Sequence, residues 1–242
     1  MTNRCGKIAF NSAAGGGAVS GQQVNLYVPN SNNAPPILSE FAIDTTTGLL
    51  TPLAGQATSS TDDNPQHLAM TPDNRFLYVA SSNDFVDAFS VGPGGALTPL
   101  AQYSVQGGLF GIAVTASFVY VTSRDGSVID VFSIGSDGGL TAVACGACAL
   151  PKGSKPSGVA VDPTGTYLYV ALHGAHQVAI GTIGPDGAIA SFAFQDTGAG
   201  TNPFELTLAP DGGSLYVTDA SFPRGKRGGE KGTDAFYRSE TR

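Results

Sequence analysis

Charged side chains are scarce in this 242-residue chain, where they make up only 13% of the residues. Long exposed helices depend on such side chains, so their scarcity argues against a helical protein. Glycine and proline are abundant, with 33 and 15 residues, and this composition is typical of short strands joined by turns. A chain of this length can bury a sizeable core, and one domain is the default expectation.

The sequence also lacks an overall excess of basic residues. Its formal net charge is −7 and its pI is about 4.7, so a nucleic acid is not expected as a partner. Residues 222–242 are an exception, because six basic and three acidic side chains give them a net charge of +3. The other 221 residues therefore carry −10, and an anionic ligand would need a local basic site.

Long apolar runs are missing as well. No run approaches the roughly 18–20 residues of a membrane-spanning helix, so no membrane partner is expected. Residues 1–14 lack the apolar stretch of a secretory signal. For the chain as written we therefore expect a soluble protein in the cytoplasm, whereas a signal upstream of it would make the protein periplasmic or extracellular.

An apolar-Tyr-Val triplet recurs five times along the chain. Its tyrosines are 51, 42, 49 and 47 residues apart: Tyr27, Tyr78, Tyr120, Tyr169 and Tyr216. In four repeats an Ala or Thr lies nine residues before the tyrosine: Ala18, Ala69, Ala160 and Thr207. Turn sequences such as Thr71-Pro72-Asp73-Asn74 lie between the two positions, which predicts two strands joined by a tight turn.

Each complete repeat continues with a third apolar alternation, a glycine-rich turn and a fourth strand. The turns lie at residues 47–48, 92–95, 136–139 and 185–187. Four antiparallel strands every forty to fifty residues or so form the blade of a β-propeller, whose blades pack face to face around a channel. The alternative is a β-sandwich with a chance periodicity, but it gives no reason for one motif to recur with two matched turns.

The predicted fold is therefore an all-β propeller with four complete blades and a partial fifth. The blades span approximately residues 14–64, 65–108, 109–155, 156–202 and 203–220. Residues 1–13 precede them, and Ile8-Ala9-Phe10 is predicted as an outer strand that closes the ring. Residues 221–242 are basic and glycine-rich without an apolar alternation, which predicts a disordered or aberrant tail.

Two stretches carry a resemblance to a known family. They are residues 65–73 followed by Leu77-Tyr78-Val79-Ala80-Ser81, and residues 26–30 leading into residues 41–53. Their pattern resembles the lactonase family of seven-bladed β-propellers, which contains bacterial 6-phosphogluconolactonase. The likeness covers roughly residues 14–220, and the absence of tryptophan excludes propellers built on a Trp-Asp signature.

The resemblance implies a hydrolase that opens a sugar lactone such as 6-phosphogluconolactone. No metal or other cofactor is expected. A small lactone, or another small ligand bound at the rim, is then the expected partner. Two alternatives stay open: a non-catalytic propeller that binds a partner or serves as a surface repeat protein, and a truncated remnant without activity. Against a seven-bladed ring about two and a half blades are missing, and exposed blade faces could support an oligomer.

Alignment of the repeats shows two exceptions just before the first strand of a blade. Glycine occupies this position three times, as Gly16, Gly111 and Gly158, whereas His67 and Glu205 stand there in the other repeats. A residue that departs from the pattern of its own repeat has no packing role shared with the other blades. Histidine transfers protons near neutral pH and a carboxylate can orient it, so His67 and Glu205 are the predicted catalytic residues.

The loops between second and third strands are expected at the same rim. They supply four candidate substrate-binding residues: Asn83, Arg124, Asp125 and His173. Arg124 suits a substrate carboxylate or phosphate, because a guanidinium binds such groups through paired hydrogen bonds. His173 and His176 have a spacing compatible with metal ligation, but no motif supplies a third ligand, so no metal site is predicted.

The chain has only three cysteines. Cys145 and Cys148 form a C-x-x-C pair, a spacing shared by redox and zinc sites, but they lie between blades and outside any βαβ pattern. Cys5 is the only other cysteine, which excludes a four-thiolate zinc site within one chain. A local disulfide and free thiols both remain open.

Overall fold

The strands form five antiparallel sheets that follow one another along the chain. The computed structural model describes residues 9–11, 24–30, 37–53, 64–105, 107–145 and 148–220. Within each sheet, strands that are consecutive in sequence are hydrogen-bonded neighbours, so each sheet is a meander. The predicted all-β propeller with four complete blades and a partial fifth is confirmed.

The strands have the following bounds. The first sheet contains β1 (Ala9–Asn11), β2 (Val24–Asn30), β3 (Ile37–Ile43) and β4 (Leu50–Pro52). The second contains β5 (Pro65–Met70), β6 (Phe76–Ser81), β7 (Phe85–Val91) and β8 (Leu97–Ser104), with a single 3-10 turn at Pro93–Gly95. The third contains β9 (Leu109–Val114), β10 (Phe118–Ser123), β11 (Val128–Ile134) and β12 (Leu140–Ala142). The fourth contains β13 (Pro156–Val161), β14 (Tyr167–Leu172), β15 (Gln177–Ile183) and β16 (Ile189–Asp196), and the described part of the fifth contains β17 (Pro203–Leu208) and β18 (Leu215–Asp219).

The first strands of successive sheets lie together around a common channel. Strand β5 contacts β9, β9 contacts β13, and β13 contacts β17. The second strands β6, β10 and β14 are rich in β-branched and aromatic residues and are almost wholly buried, because neighbouring sheets cover both of their faces. The outermost strands β8 and β16 are largely exposed.

The N-terminal strand differs from the prediction. Strand β1 pairs with β2 in a register that places Ala9 opposite Tyr27, as Ala69 is opposite Tyr78 in the second sheet. It also contacts β5, so it is an inner strand and not the ring-closing outer strand that was expected. Twelve residues separate β1 from β2, against five between β5 and β6, which is why the nine-residue spacing pointed to Ala18. Ala18 itself lies outside the described residues.

The repeated tyrosine joins one sheet to the next. Three buried hydroxyl groups donate hydrogen bonds to glycine carbonyl oxygens of the following sheet: Tyr27 to Gly95 at 2.7 Å, Tyr78 to Gly138 at 2.9 Å, and Tyr120 to Gly187 at 3.0 Å. Each of these glycines belongs to the turn between the third and fourth strands. Burial raises the pKa of Tyr120 to about 12, so its hydroxyl remains a donor even at alkaline pH.

The backbone conformation of these turns requires glycine. Gly138 and Gly187 have φ angles of +86° and +82°, in the left-handed region that side chains rarely adopt. A Cβ on Gly138 would lie 2.4 Å from the ring of Phe76, and one on Gly187 would lie 2.3 Å from the ring of Phe118. The tyrosine and the aromatic residue two positions before it thus hold the same glycine turn.

The two cysteines of the C-x-x-C pair form a disulfide, which decides between the two states left open by the sequence. Cys148 is 2% exposed and packs in the apolar cluster between the third and fourth sheets, together with Leu150 and Ile189. The backbone N–H of Ile189 contacts Cys145 Sγ at 3.4 Å. The disulfide therefore lies at the interface between two blades.

The hydroxyl group of Tyr120 provides a test of this packing. Tyr120→Phe keeps the ring but leaves the Gly187 carbonyl without its donor, so we expect the free energy of unfolding to fall by about 1–2 kcal/mol. Chemical denaturation followed by circular dichroism measures the change. Tyr216→Phe is the matched control, because Tyr216 is 41% exposed and its hydroxyl bonds to no described residue. Equal losses in both variants would contradict the proposed role of the hydrogen bond.

Candidate functional site

His67 and Glu205 meet across the channel. His67 lies in β5 of the second sheet and Glu205 lies in β17 of the fifth, and the distance from His67 Nε2 to Glu205 Oε1 is 2.9 Å. Two complete sheets lie between these strands in the chain, so the curvature of the array brings the side chains together. The comparison of repeats placed both residues at one rim, and the structure brings them into direct contact.

A bulge at the start of the inner strand sets the direction of these side chains. Strand pairing shifts register between Pro203 and Leu206 in the fifth sheet, which places Glu205 within the bulge. The second sheet has the same shift between Pro65 and His67. The backbone N–H of Glu205 leaves the regular ladder and donates to Thr218 Oγ1 at 3.0 Å. Bulges of this kind redirect a side chain, here towards the channel.

Glycine at the equivalent positions has a packing reason. A Cβ on Gly111 would lie 2.3 Å from the carbonyl oxygen of Ser157, and a Cβ on Gly158 would lie 2.9 Å from that of Phe204. Neighbouring inner strands approach each other too closely there for a larger residue. Gly16, the third glycine of the alignment, lies outside the described residues.

Side-chain donors complete the contact between inner strands. Thr122 Oγ1 donates to the carbonyl of Ser157, and Ser157 Oγ donates to the carbonyl of Phe204, each at 2.7 Å. Between the second and third sheets, His67 Nδ1 approaches the carbonyl oxygen of Phe110 to 2.5 Å. His67 therefore has a structural partner in the next blade as well as the carboxylate across the channel.

His67 is held at both ring nitrogens. A carbonyl oxygen can only accept, so the contact with Phe110 places a hydrogen on Nδ1. The ring also packs against the Phe110 ring, with 4.7 Å between centroids, and only 3% of the residue is exposed. The imidazole is consequently fixed in one orientation.

The contact between His67 and Glu205 contains a proton. With Nδ1 protonated, a neutral ring would point the lone pair of Nε2 at a carboxylate oxygen, which also carries only lone pairs. A separation of 2.9 Å therefore requires a hydrogen on Nε2 or on the carboxyl group. The pair exists as imidazolium with carboxylate or as imidazole with carboxylic acid, and both forms hold a transferable proton.

The two oxygens of Glu205 differ in their surroundings. Oε1 is buried and has no hydrogen-bond partner among the described residues other than His67. Oε2 accepts no hydrogen bond in this part of the chain, and it lies only 3.0 Å from where a Cβ on Gly158 would be. The side chain is 30% exposed, so glycine at position 158 leaves room beside an oxygen that a ligand can reach.

Arg124 lies over two aromatic rings at the same end of the channel. Its Cζ atom is 5.5 Å from the ring centroid of Phe110 and 6.0 Å from that of Phe204. The two rings meet edge to face with 5.0 Å between centroids. Because Phe110 also contacts His67 and Phe204 directly precedes Glu205, the guanidinium belongs to the same cluster of side chains.

His173 joins this cluster from the fourth sheet. Its ring meets that of Phe204 edge on, with 5.9 Å between centroids. Burial lowers the pKa of His173, and electrostatic interaction with three neighbouring basic side chains lowers it further: Arg124, Lys155 and His176. Asp219 acts in the opposite direction but does not outweigh them. His173 is therefore uncharged at neutral pH.

The other predicted residues lie further out. Asn83 and Asp125 are exposed on the loops that follow β6 and β10. His176 is exposed as well, and its Nδ1 contacts the carbonyl oxygen of Thr201. The described ranges contain no group of three or more side chains that could hold a metal ion.

Sequence reasoning did not identify Phe110 and Phe204. Both lie one position before the aligned residues Gly111 and Glu205, and an aromatic residue at this position in two repeats was the available signal. Their role depends on a contact between two sheets that are not adjacent, and the spacing of the repeat does not predict such a contact. Thr122 and Ser157 were missed for a similar reason, since their partners are backbone carbonyls.

His173 makes stability depend on pH in a defined direction. Because its pKa is lower in the folded state, folding is unaffected by this group above the ordinary value of 6.5 and is disfavoured as the pH falls below it. We expect His173→Gln to lose less unfolding free energy than the wild type between pH 7.5 and 5.5. Urea denaturation across that range measures the difference, and equal slopes would contradict the lowered pKa.

A family model and several solved structures match this chain. The model described as "Lactonase, 7-bladed beta-propeller" matches residues 25–145, which is half of the chain. A periplasmic gluconolactonase from Pseudomonas aeruginosa is 19% identical with a TM-score of 0.68, over 81% of this chain and 62% of that one. A putative 6-phosphogluconolactonase from Bacteroides fragilis is 22% identical with a TM-score of 0.67, over 84% and 63%. A protein from Lactobacillus plantarum is 17% identical with a TM-score of 0.70, over 81% and 61%.

These structures share the fold, and the chain spans about three fifths of the length of each. Comparison with curated protein sequences finds no match. Among the described residues, no helix is long and apolar enough to cross a membrane. The matched half of the sequence and the propeller architecture together lead to one assignment: the chain belongs to the lactonase family of seven-bladed β-propellers.

Proposed function

We propose that the end of the channel where His67, Glu205 and Arg124 converge hydrolyses a sugar lactone such as 6-phosphogluconolactone. Membership of the lactonase family supports the class of reaction. The observation that carries the proposal is the 2.9 Å contact between His67 and Glu205, which holds a proton beside a reachable carboxylate oxygen. Lactone hydrolysis needs a base for the attacking water and a proton for the leaving oxygen.

Glu205 takes the proton of the attacking water through Oε2. This oxygen is the reachable one, whereas Oε1 is buried against His67. His67 keeps the carboxylate in place because Phe110 fixes the other ring nitrogen. In this arrangement Glu205 contacts the reacting water directly, and His67 orients the carboxylate.

The proton then returns to the substrate. The water oxygen bonds to the lactone carbonyl carbon, the carbonyl π electrons move onto its oxygen, and one water proton passes to Glu205 Oε2. When the carbonyl re-forms, the bond from its carbon to the ring oxygen breaks, and the ring oxygen takes the proton from Glu205. The product is the open-chain hydroxy acid, and the enzyme regains its starting protonation state.

Arg124 binds the acidic group of the substrate. The chain is acidic as a whole, yet three of the four Lys and Arg residues in the described ranges lie on loops at this end of the sheets: Arg124, Lys152 and Lys155. The guanidinium of Arg124 suits a phosphate or carboxylate, because it can bind either group through paired hydrogen bonds. In this proposal the uncharged His173 bonds a sugar hydroxyl, and the exposed Asn83 and Asp125 contact the outer part of the ligand.

A non-catalytic binding propeller is the second candidate, and one observation favours it. The ring of His67 is buried and held at both nitrogens, as expected of a structural residue that connects the second and fifth sheets. In this case Arg124 would hold a small anionic ligand at the rim without turnover. Turnover and binding must therefore be measured separately.

Glu205→Gln tests the catalytic proposal. The amide keeps the size of the side chain but has no basic oxygen, so kcat for 6-phosphogluconolactone should fall by about 10²-fold or more. A pH-stat assay corrected for spontaneous hydrolysis measures it. Asp211→Asn is the control, because this carboxylate lies in the turn at the opposite end of the same sheet.

Undiminished turnover in Glu205→Gln would contradict the role of Glu205. Absence of turnover in the wild type, together with binding of 6-phosphogluconate, would favour the non-catalytic candidate. Loss of turnover in Asp211→Asn equal to that in Glu205→Gln would show that the assay reports stability and not chemistry.

We also infer that the protein works in an oxidising compartment. The disulfide between Cys145 and Cys148 supports this, because disulfides persist outside the reducing cytosol. A periplasmic gluconolactonase has the same fold. This favours the periplasmic or extracellular alternative over the cytoplasmic location expected from residues 1–14.

A thiol count tests the redox state. Protein secreted to the periplasm of a bacterial host and unfolded in denaturant should react with about one equivalent of thiol reagent, because Cys5 is the only cysteine outside the disulfide. Prior reduction should raise the count to about three. A count of three without reduction would contradict the disulfide.

A further inference from the structure

We propose that Phe110 and Phe204 are positioning residues that hold Arg124 at the mouth of the channel and thereby set the affinity of the site for an anionic ligand. The proposal rests on the proposed function only for the identity of the ligand as a sugar acid or its lactone. The placement of Arg124 follows from ring contacts that do not depend on a reaction.

The two rings come from sheets that are not adjacent. Phe110 belongs to β9 of the third sheet and Phe204 to β17 of the fifth, yet their centroids are 5.0 Å apart. The intervening fourth sheet has two of the smallest residues, Ser157 and Gly158, at the same level of its inner strand. Small residues there leave the space in which the rings meet.

Arg124 uses both rings as a support. Its Cζ atom lies 5.5 Å from one centroid and 6.0 Å from the other, within the range of cation–π attraction. A free arginine side chain loses considerable rotamer freedom when it binds a ligand. Rings that already restrict the guanidinium remove part of this cost, so an anion meets a preorganised donor.

The two rings also pack against the histidines of the catalytic cluster. The Phe110 ring packs on His67, which bonds Glu205, and the Phe204 ring packs on His173. One aromatic pair therefore links the proton-holding pair, the guanidinium and the uncharged histidine. A change in the Phe204 ring should reach Arg124 and His173 together.

The surroundings of His173 give a readout that does not involve turnover. The charged and titratable groups that face it are Arg124, Lys155, His176 and Asp219. Burial comes first among the causes that lower the pKa of His173, and the charge of Arg124 comes next. Loss of the Phe204 ring would expose His173 to water and release Arg124. Both changes would raise the pKa of His173.

The experiment compares two substitutions at position 204. Phe204→Leu removes the ring with little change in volume, and Phe204→Tyr keeps it. Phe204 is chosen because it is partly exposed, whereas Phe110 is 5% exposed and its loss would endanger folding. Phe192→Leu is the matched control, since Phe192 is a partly buried residue of β16 whose ring pairs with Phe194.

Two quantities are measured on the full chain. Calorimetry gives the dissociation constant of 6-phosphogluconate, and proton NMR gives the titration of the three histidine rings. We expect Phe204→Leu to weaken binding about ten-fold and to raise the measured pKa of His173. Phe204→Tyr should restore both to near wild-type values, and Phe192→Leu should change neither. Circular dichroism checks that all variants keep their strands.

The outcomes separate this proposal from the proposed function. Wild-type affinity and unchanged His173 titration in Phe204→Leu would overturn the positioning role, as would absence of 6-phosphogluconate binding by the wild type. Equal weakening in Phe192→Leu would reveal a general packing effect and would overturn it too. Ring-dependent binding without turnover of any lactone would support the positioning role and reject only the hydrolase.

Discussion

The hydrogen bond from a buried tyrosine hydroxyl to a glycine carbonyl of the next sheet is the contact on which the geometry of the site depends. It recurs at three successive interfaces, at Tyr27, Tyr78 and Tyr120. Each contact fixes one sheet against the next at the outer side of the channel, so the sheets turn around the axis by a repeated step. His67 and Glu205 are three sheet-to-sheet steps apart, and the contacts of Tyr78 and Tyr120 hold the first two of these steps.

Much of the fold could be predicted because each repeat carries its own local signals. The apolar-Tyr-Val triplet marks a second strand buried on both faces, and the Pro-Asp and Gly turns mark the reversals on either side. The first strand of the first sheet was misplaced, since twelve residues separate β1 from β2 and the spacing rule found Ala18 instead of Ala9. The spacing of the repeat locates a strand only where the connection has its usual length, so the longer connection between β1 and β2 led to the wrong residue.

The candidate site likewise contains residues that the repeat pattern reveals and contacts that it does not. His67 and Glu205 could be found because they replace a glycine that close strand packing otherwise requires at positions 111 and 158. The partner of His67 Nδ1 could not, because it is the backbone carbonyl of Phe110 and a carbonyl leaves no mark in a sequence. The approach of Phe110 to Phe204 and the choice between disulfide and thiols at Cys145 likewise depend on distances that only the folded chain defines.

The central claim is that a ligand binds at the end of the channel where His67, Glu205 and Arg124 converge. A ¹H–¹⁵N NMR titration of the labelled chain with 6-phosphogluconate tests it most directly, because each backbone amide reports its own surroundings. We expect the largest shift changes at the amides of Gly111, Gly158 and Glu205, which lie beside the rings and the carboxylate. Largest changes at the turns of the opposite end, around Gly165 and Gly187, would contradict it.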